Sequence, residues 1–157
     1  MHSSAAPFDI VLHSPRIAPN VGAIGRVCAA TGAPLHVVRP IPFTLDDRTL
    51  RRSGMDYWEL VRWSMHEDWR ACRAALGDRR LWLFTTHGRE DALATPYAPG
   101  DVLVFGNEPH GAPEWLHDDV GDARRLRLPM ADPRARSLNL ATAVAAAVYV
   151  AWVRVRG

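Results

Sequence analysis

Glu108 is the residue of this chain whose setting most demands a chemical explanation. It sits in LVFGNEPHGAP (residues 103–113), where a short apolar run meets a glycine, then an amide and a carboxylate, then Pro-His-Gly ahead of an expected helix. Gly106 lets a ligand approach the backbone without a Cβ in the way, and Gly111 permits a conformation other residues avoid. Between them Glu108 offers an acceptor for a hydroxyl, an amine or a cation, or an ion-pair partner for an arginine. The competing reading is a plain helix-entry loop capped by Asn107 or Glu108. Two further loops share its position after an apolar run: TTHG after LWLF, and PMADPRARSLNL after RLRL. In the last of these Ser137 or Asn139 suits the cap of the final helix. Other catalytic patterns are missing. There is no G-x-x-x-x-G-K-[ST] and no G-x-S-x-G, and Gly22 and Gly25 do not make a dinucleotide fingerprint. His13, His36, His66, His87, His110 and His117 show no metal-ligand spacing, so they read as surface or hydrogen-bonded histidines, and no metal is expected.

The elements that must carry these loops follow from hydrophobic pattern and punctuation. Apolar runs at 8–13, 35–40, 81–86 and 102–106, with RRLRLP at 124–129, read as strands. ELVRWSMH, with alternating apolar residues, reads as another. Asn20 suits the N-cap of a helix that stops at Gly32; a short helix lies in LDDRTLRRSG, with Asp46 or Asp47 at its positive end; EDWRACRAALGD is a helix ending at Gly77. Strands alternate with helices, and several strands are apolar on both faces. The fold class is therefore α/β, a mainly parallel sheet with helices on both faces. In such sheets ligands bind beyond the carboxyl ends of the strands, where all three loops fall.

Bulk properties set outer bounds. A chain of 157 residues is one domain in size, and 48% hydrophobic with 23% charged residues is a globular balance. The net charge of +2 says little about partners. All 19 basic residues are arginine, which reads as compositional bias rather than a device for gripping phosphate. Cys28 and Cys72 read as buried free thiols in separate helices, in a reducing compartment. Residues 1–7 lack the features of a signal peptide and read as a disordered tail before a single domain at 8–157, and a cytoplasmic location is expected. The run NLATAVAAAVYVAWV is too short for a membrane span and reads as a helix buried in the core or in a subunit interface.

Taken in order, APNVGAIGRVCAATG (18–32), LVFGNEPHGAP and LPMADPRARSLNLATAVAAAVY (128–149) resemble the three motifs of the SpoU branch of the SPOUT RNA methyltransferases. FTLDDRTLRRSGMDYWE (43–59) resembles the matching stretch of the small TrmL-type members. The likeness covers residues 9–154. It implies a trefoil-knotted SPOUT fold working as a homodimer, S-adenosylmethionine as methyl donor with S-adenosylhomocysteine as product, and tRNA as partner. The reaction implied is methylation of the ribose 2′-hydroxyl of the wobble nucleotide, cytidine or uridine, of leucine tRNAs. Ribosomal RNA as substrate, or an RNA-binding module that has lost catalysis, are the alternatives.

Carried over position by position, the resemblance assigns Phe84, Gly106, Leu128 and Ser137 to the cofactor. It assigns Arg26, Glu108, Ser137 and Asn139 to catalysis. A guanidinium stays protonated at ordinary pH, so Arg26 is expected to orient the ribose hydroxyl and a phosphate rather than to act as base. Glu108 would fix Arg26 or Asn20 in place, or accept the proton. Arg48, Arg51, Arg52 and Arg136 are the expected RNA contacts. Arg136 is preferred to Arg134 because it stands immediately before Ser137.

Overall fold

The computed structural model describes residues 4–52 and 56–156, with side chains for all of these but Arg51, Arg52 and Asp56. Seven strands form one sheet: β1 (Asp9–His13), β2 (Leu35–Val38), β3 (Trp63–His66), β4 (Leu81–Phe84), β5 (Glu90–Asp91), β6 (Val102–Phe105) and β7 (Arg125–Arg127). Their order across the sheet is β3-β2-β1-β6-β4-β7-β5, and every pairing is parallel. The α/β expectation holds. β4 and β6 are buried at every position, which is why they read as unbroken apolar runs rather than alternating ones. Among the described residues the α-helices are α1 (Ala18–Thr31), α2 (Asp47–Arg52), α3 (Trp69–Leu76), α4 (Glu114–Val120) and α5 (Leu140–Arg156).

Two cores cover the two faces. One joins Ile10, Leu12, Leu103 and Phe105 to Val21, Ile24 and Cys28 of α1 and to Val144, Ala147, Val148 and Ala151 of α5. The other joins Val11, Leu83, Val102 and Val104 to Trp69, Cys72 and Leu76 of α3 and to Leu116 of α4. Both cysteines are buried and free, as expected; burial pushes the Cys28 thiol up to about 12. α5 is only partly covered, since Tyr149 and Val153 stay exposed. Among the described residues no helix is long and apolar enough to cross a membrane. Of residues 1–7, the first three lie outside the described residues, whereas Ala6 is buried and its N–H donates to the Thr31 carbonyl at 2.7 Å.

Several local readings need correction. α1 starts at Ala18, so Asn20 lies inside its first turn and is not the N-cap; Ile17 holds that place without a side-chain bond of its own. Pro19 explains the shift, because its fixed φ suits the first helical turn and its missing N–H costs nothing there. The strand read in ELVRWSMH is confined to Trp63–His66, as residues up to Leu60 form a 3-10 turn. The two-residue β5 went unforeseen. Gly32 does end α1, at φ 77°.

Close packing makes one helical glycine essential. A Cβ on Gly25 would collide with the Trp58 ring, meeting its Cζ3 and lying 2.7 Å from Cε3. Trp58 is buried, so the ring has little room to retreat. Gly25→Ala is expected to cost about 1–3 kcal/mol as overpacking, lowering Tm by about 3–10 °C in a melt followed by tryptophan fluorescence.

Candidate active site

β1 has β2 on one side and β6 on the other, so the strand order reverses there and the loops after β1 and β6 diverge around a crevice. A cavity of about 560 Å³ opens at these carboxyl ends, bounded by the segments after β4, β6 and β7. Its volume is that of a small-molecule site. The four residues expected at a cofactor, Phe84, Gly106, Leu128 and Ser137, all line it, as do Glu108, Arg136 and Asn139. Phe84 and Phe105 stack with ring centroids 4.9 Å apart and make an apolar wall.

The loop after β6 is a closed turn. Asn107 and Gly111 exchange two backbone bonds, N–H of Gly111 to O of Asn107 at 2.9 Å and the reverse at 3.2 Å, while the Asn107 side chain accepts from the His110 N–H at 3.1 Å. Gly111 sits at φ +66°, which the turn requires. α4 begins after Pro113 with no side-chain cap, so neither Asn107 nor Glu108 caps it.

Glu108 instead reaches across to the loop after β1. One carboxylate oxygen accepts the Arg16 N–H at 2.9 Å; the other accepts the Ile17 N–H at 2.7 Å and the Asn20 amide at 3.3 Å. The carboxylate thus supplies, from a distant loop, an acceptor for the entry to α1. Its polarity then propagates. Asn20 must present Nδ2 to a carboxylate, so its Oδ1 faces Asn139 and accepts from Nδ2 there at 3.2 Å; the Asn139 Oδ1 accepts the Thr142 N–H at 3.2 Å and caps α5. One directed chain of hydrogen bonds ties the loops after β1, β6 and β7. Of the two partners expected for Glu108, Asn20 is in contact. Arg26 is exposed on α1 with its guanidinium 5.3 Å from the Tyr57 ring centroid, outside the cavity lining.

Glu108→Gln keeps the shape but sets an NH₂ against a donor. It is expected to lower stability by about 1 kcal/mol and to remove hydrogen-exchange protection at Arg16 or Ile17. Unchanged protection at both amides would show that the carboxylate does not hold this loop.

The loop after β7 separates its two arginines. Arg134 is turned back on Asp132, with Nε 3.1 Å from Oδ1 and an NH₂ nitrogen 2.7 Å from Oδ2, and this ion pair lowers the Asp132 carboxyl below its ordinary range. Arg136 faces the cavity from a positive-φ backbone, φ 65°. Arg48 is exposed on α2, away from the cavity lining; the Arg51 and Arg52 side chains lie outside the described residues.

Other lining residues were not singled out from sequence. His117 is buried; its Nδ1 donates to the Pro113 carbonyl at 3.1 Å, which leaves Nε2 to accept the Thr85 hydroxyl at 2.9 Å. Thr85 in turn accepts the His87 N–H at 3.1 Å. Asn20 was expected as a helix cap and as a partner of Glu108, but not as a bridge to Asn139. Its type was noticed, but its partners lie 88 and 119 residues away.

Known proteins share this architecture. A tRNA (cytidine(34)-2′-O)-methyltransferase of Methylovorus glucosotrophus is 47% identical over 145 residues, covering 92% of this chain and 94% of the relative. A solved structure from Bacillus anthracis superposes with a TM-score of 0.88 at 34% identity, covering 94% of this chain and 93% of that one. The SpoU methyltransferase AviRb of Streptomyces viridochromogenes, solved in complex with AdoMet, does so with a TM-score of 0.74 at 26% identity, covering 96% of this chain and 62% of that one. The SpoU rRNA Methylase family profile matches residues 7–149, which takes in all three loops around the cavity, and the chain belongs to that family.

Proposed function

We propose that this enzyme transfers a methyl group from S-adenosylmethionine to the ribose 2′-hydroxyl of the wobble nucleotide, cytidine or uridine, of leucine tRNAs. The observation that carries the reading is the convergence of the loops after β4, β6 and β7 on one cavity lined by Phe84, Gly106, Leu128 and Ser137. The relative from Methylovorus, named for nucleotide 34 of tRNA, supports the substrate.

The residues present suit the cofactor. Phe84 and Phe105 offer an apolar wall for adenine, and Gly106 lets the Gly111–Ala112 backbone of the same turn pack against it at the cavity edge. When bound, S-adenosylmethionine would supply a sulfonium-activated methyl group. The chain's own part is placement, which contributes on the order of 7–11 kcal/mol when reacting atoms are held in line. The Glu108–Asn20–Asn139 chain holds three loops in register for that purpose. All carboxylate contacts of Glu108 described above are with N–H donors, so it works here as an organiser rather than as the proton acceptor.

Arg136 at the cavity mouth, with Arg48, Arg51 and Arg52, would contact phosphates. Unpaired anticodon-loop bases meet the demand of RNA-reading proteins for splayed nucleotides. We further propose a homodimer through the exposed side of α5, where Tyr149 and Val153 lie, a trefoil knot at the return of the chain after β7 to α5, and a cytoplasmic location. The packing of α5 against both α1 and β6 supports the return path.

The test is transfer of tritiated methyl from S-adenosylmethionine to tRNA from a strain lacking this protein, followed by mapping of the labelled nucleotide. Label at the 2′-position of nucleotide 34 is expected. Label confined to ribosomal RNA would move the substrate, and no label with either RNA would overturn the reading.

A further inference from the structure

Toward the other edge of the sheet, three residues distant in sequence meet beneath α3. Val38 of β2 pairs with His66 of β3, so His36, two residues before Val38, projects from the same face as His66. Val11 of β1 pairs with His36, which puts Asp9 on that face too. α3 lies over it and brings down Cys72, which is fully buried. His36 Nδ1 lies 2.9 Å from His66 Nε2, and one ring nitrogen of each histidine and the Cys72 Sγ all fall within 4.8 Å of one another. None of the three lines the cavity.

Their surroundings match what a metal ligand needs. His36 Nε2 donates to Asp9 Oδ2 at 2.7 Å, and Asp9 Oδ1 accepts from an Arg79 NH₂ nitrogen at 2.9 Å. Asp9 therefore fixes the His36 tautomer and leaves the Nδ1 lone pair facing His66. A carboxylate behind an imidazole in this way orients ligating histidines and raises their basicity. Two nitrogens and a sulfur form a borderline-soft set that favours zinc and its neighbours over magnesium or calcium.

We propose that His36 Nδ1, His66 Nε2 and Cys72 Sγ bind a zinc-class divalent transition-metal ion, with water or an added ligand completing a tetrahedron. Binding releases the thiol proton to solvent and shifts the His66 proton from Nε2 to Nδ1, so that both imidazoles remain neutral. Tetrahedral zinc sets its nitrogens ~3.3 Å apart and nitrogen and sulfur ~3.6 Å apart. The two rings must separate by about 0.4 Å, with Cys72 turning toward them. The ion clamps α3 to β2 and β3, and its role is structural.

The test uses the full chain, reduced with a phosphine and stripped with a chelator. One equivalent of Co²⁺ is expected to give a thiolate-to-cobalt charge-transfer band and strong tetrahedral d–d absorption, both lost when Zn²⁺ displaces it. Zn²⁺ at a hundredfold excess over its Kd should raise Tm by about 5–10 °C. Cys72→Ser should lose the charge-transfer band, Cys28→Ser should keep it, and Asp9→Asn should weaken affinity by about 10–100-fold. Absence of the band from the wild-type chain, its survival in Cys72→Ser, or a Tm that Zn²⁺ does not move would overturn the proposal. In that case the cluster is a proton-linked Asp–His–His chain. The wild-type titration decides even if a variant fails to fold.

Discussion

Arg26→Ala is expected to abolish methyl transfer to tRNA while leaving S-adenosylhomocysteine affinity, measured by calorimetry, within about twofold of wild type. The split follows from where the side chain stands. Arg26 is exposed on α1 and is not among the cavity-lining residues, so its loss removes no contact from a cofactor held there. Its guanidinium lies over the ring of Tyr57, whose hydroxyl donates to the Gly22 carbonyl at 2.8 Å and so ties the ring to α1. The charge is thus presented to solvent from a supported position. Because a guanidinium keeps its proton, it can hold a phosphate or ribose hydroxyl but cannot take up the hydroxyl proton at ordinary pH. Arg26→Lys preserves the charge and loses the planar fork, and partial recovery of turnover is expected. Wild-type turnover in Arg26→Ala would remove the residue from the mechanism; lost cofactor affinity would mean that it acts through the cavity.

What could be read in advance, and what could not, divides by range of interaction. β4 and β6 were legible because burial on both faces leaves continuous apolar runs, and the end of α1 because Gly32 tolerates φ 77°. The loop 106–111 was legible as a cavity wall because its residue types exceed what a turn needs. Of the two readings of Asn20, the contact with Glu108 holds and the helix cap fails, because asparagine serves equally as a cap or as a two-ended bridge and only the arrival of Asn139 completes the second. The choice between Arg134 and Arg136 rested on order in the chain, whereas the structure adds the Asp132 pairing that occupies Arg134. β5 has two residues and no hydrophobic pattern to announce it. The meeting of His36, His66 and Cys72 depends on the register of β2 against β3 and on how α3 lies over them, neither of which is encoded in local spacing.

Gly106→Ala tests the cavity at its tightest backbone approach. A Cβ built there would collide with the Ala112 nitrogen and the Gly111 carbonyl carbon and lie 2.6 Å from the Gly111 oxygen. These are main-chain atoms, so no rotamer change can relieve the overlap; the turn closed by Asn107 and Gly111 must move as a unit. Moving it drags Glu108 away from Arg16, Ile17 and Asn20 and so loosens the chain that runs on to Asn139. Affinity for S-adenosylhomocysteine is expected to fall at least about 100-fold, equivalent to about 2.7 kcal/mol, and turnover with it. Gly111→Ala supplies the contrast. Its φ of +66° is strained for alanine, but a Cβ there meets nothing within 4 Å, so the cost is conformational, about 1–2 kcal/mol. A smaller loss of affinity in Gly111→Ala than in Gly106→Ala locates the constraint in the close backbone approach. Equal losses would assign it to the turn's conformation, and wild-type binding in Gly106→Ala would place the cofactor away from this loop.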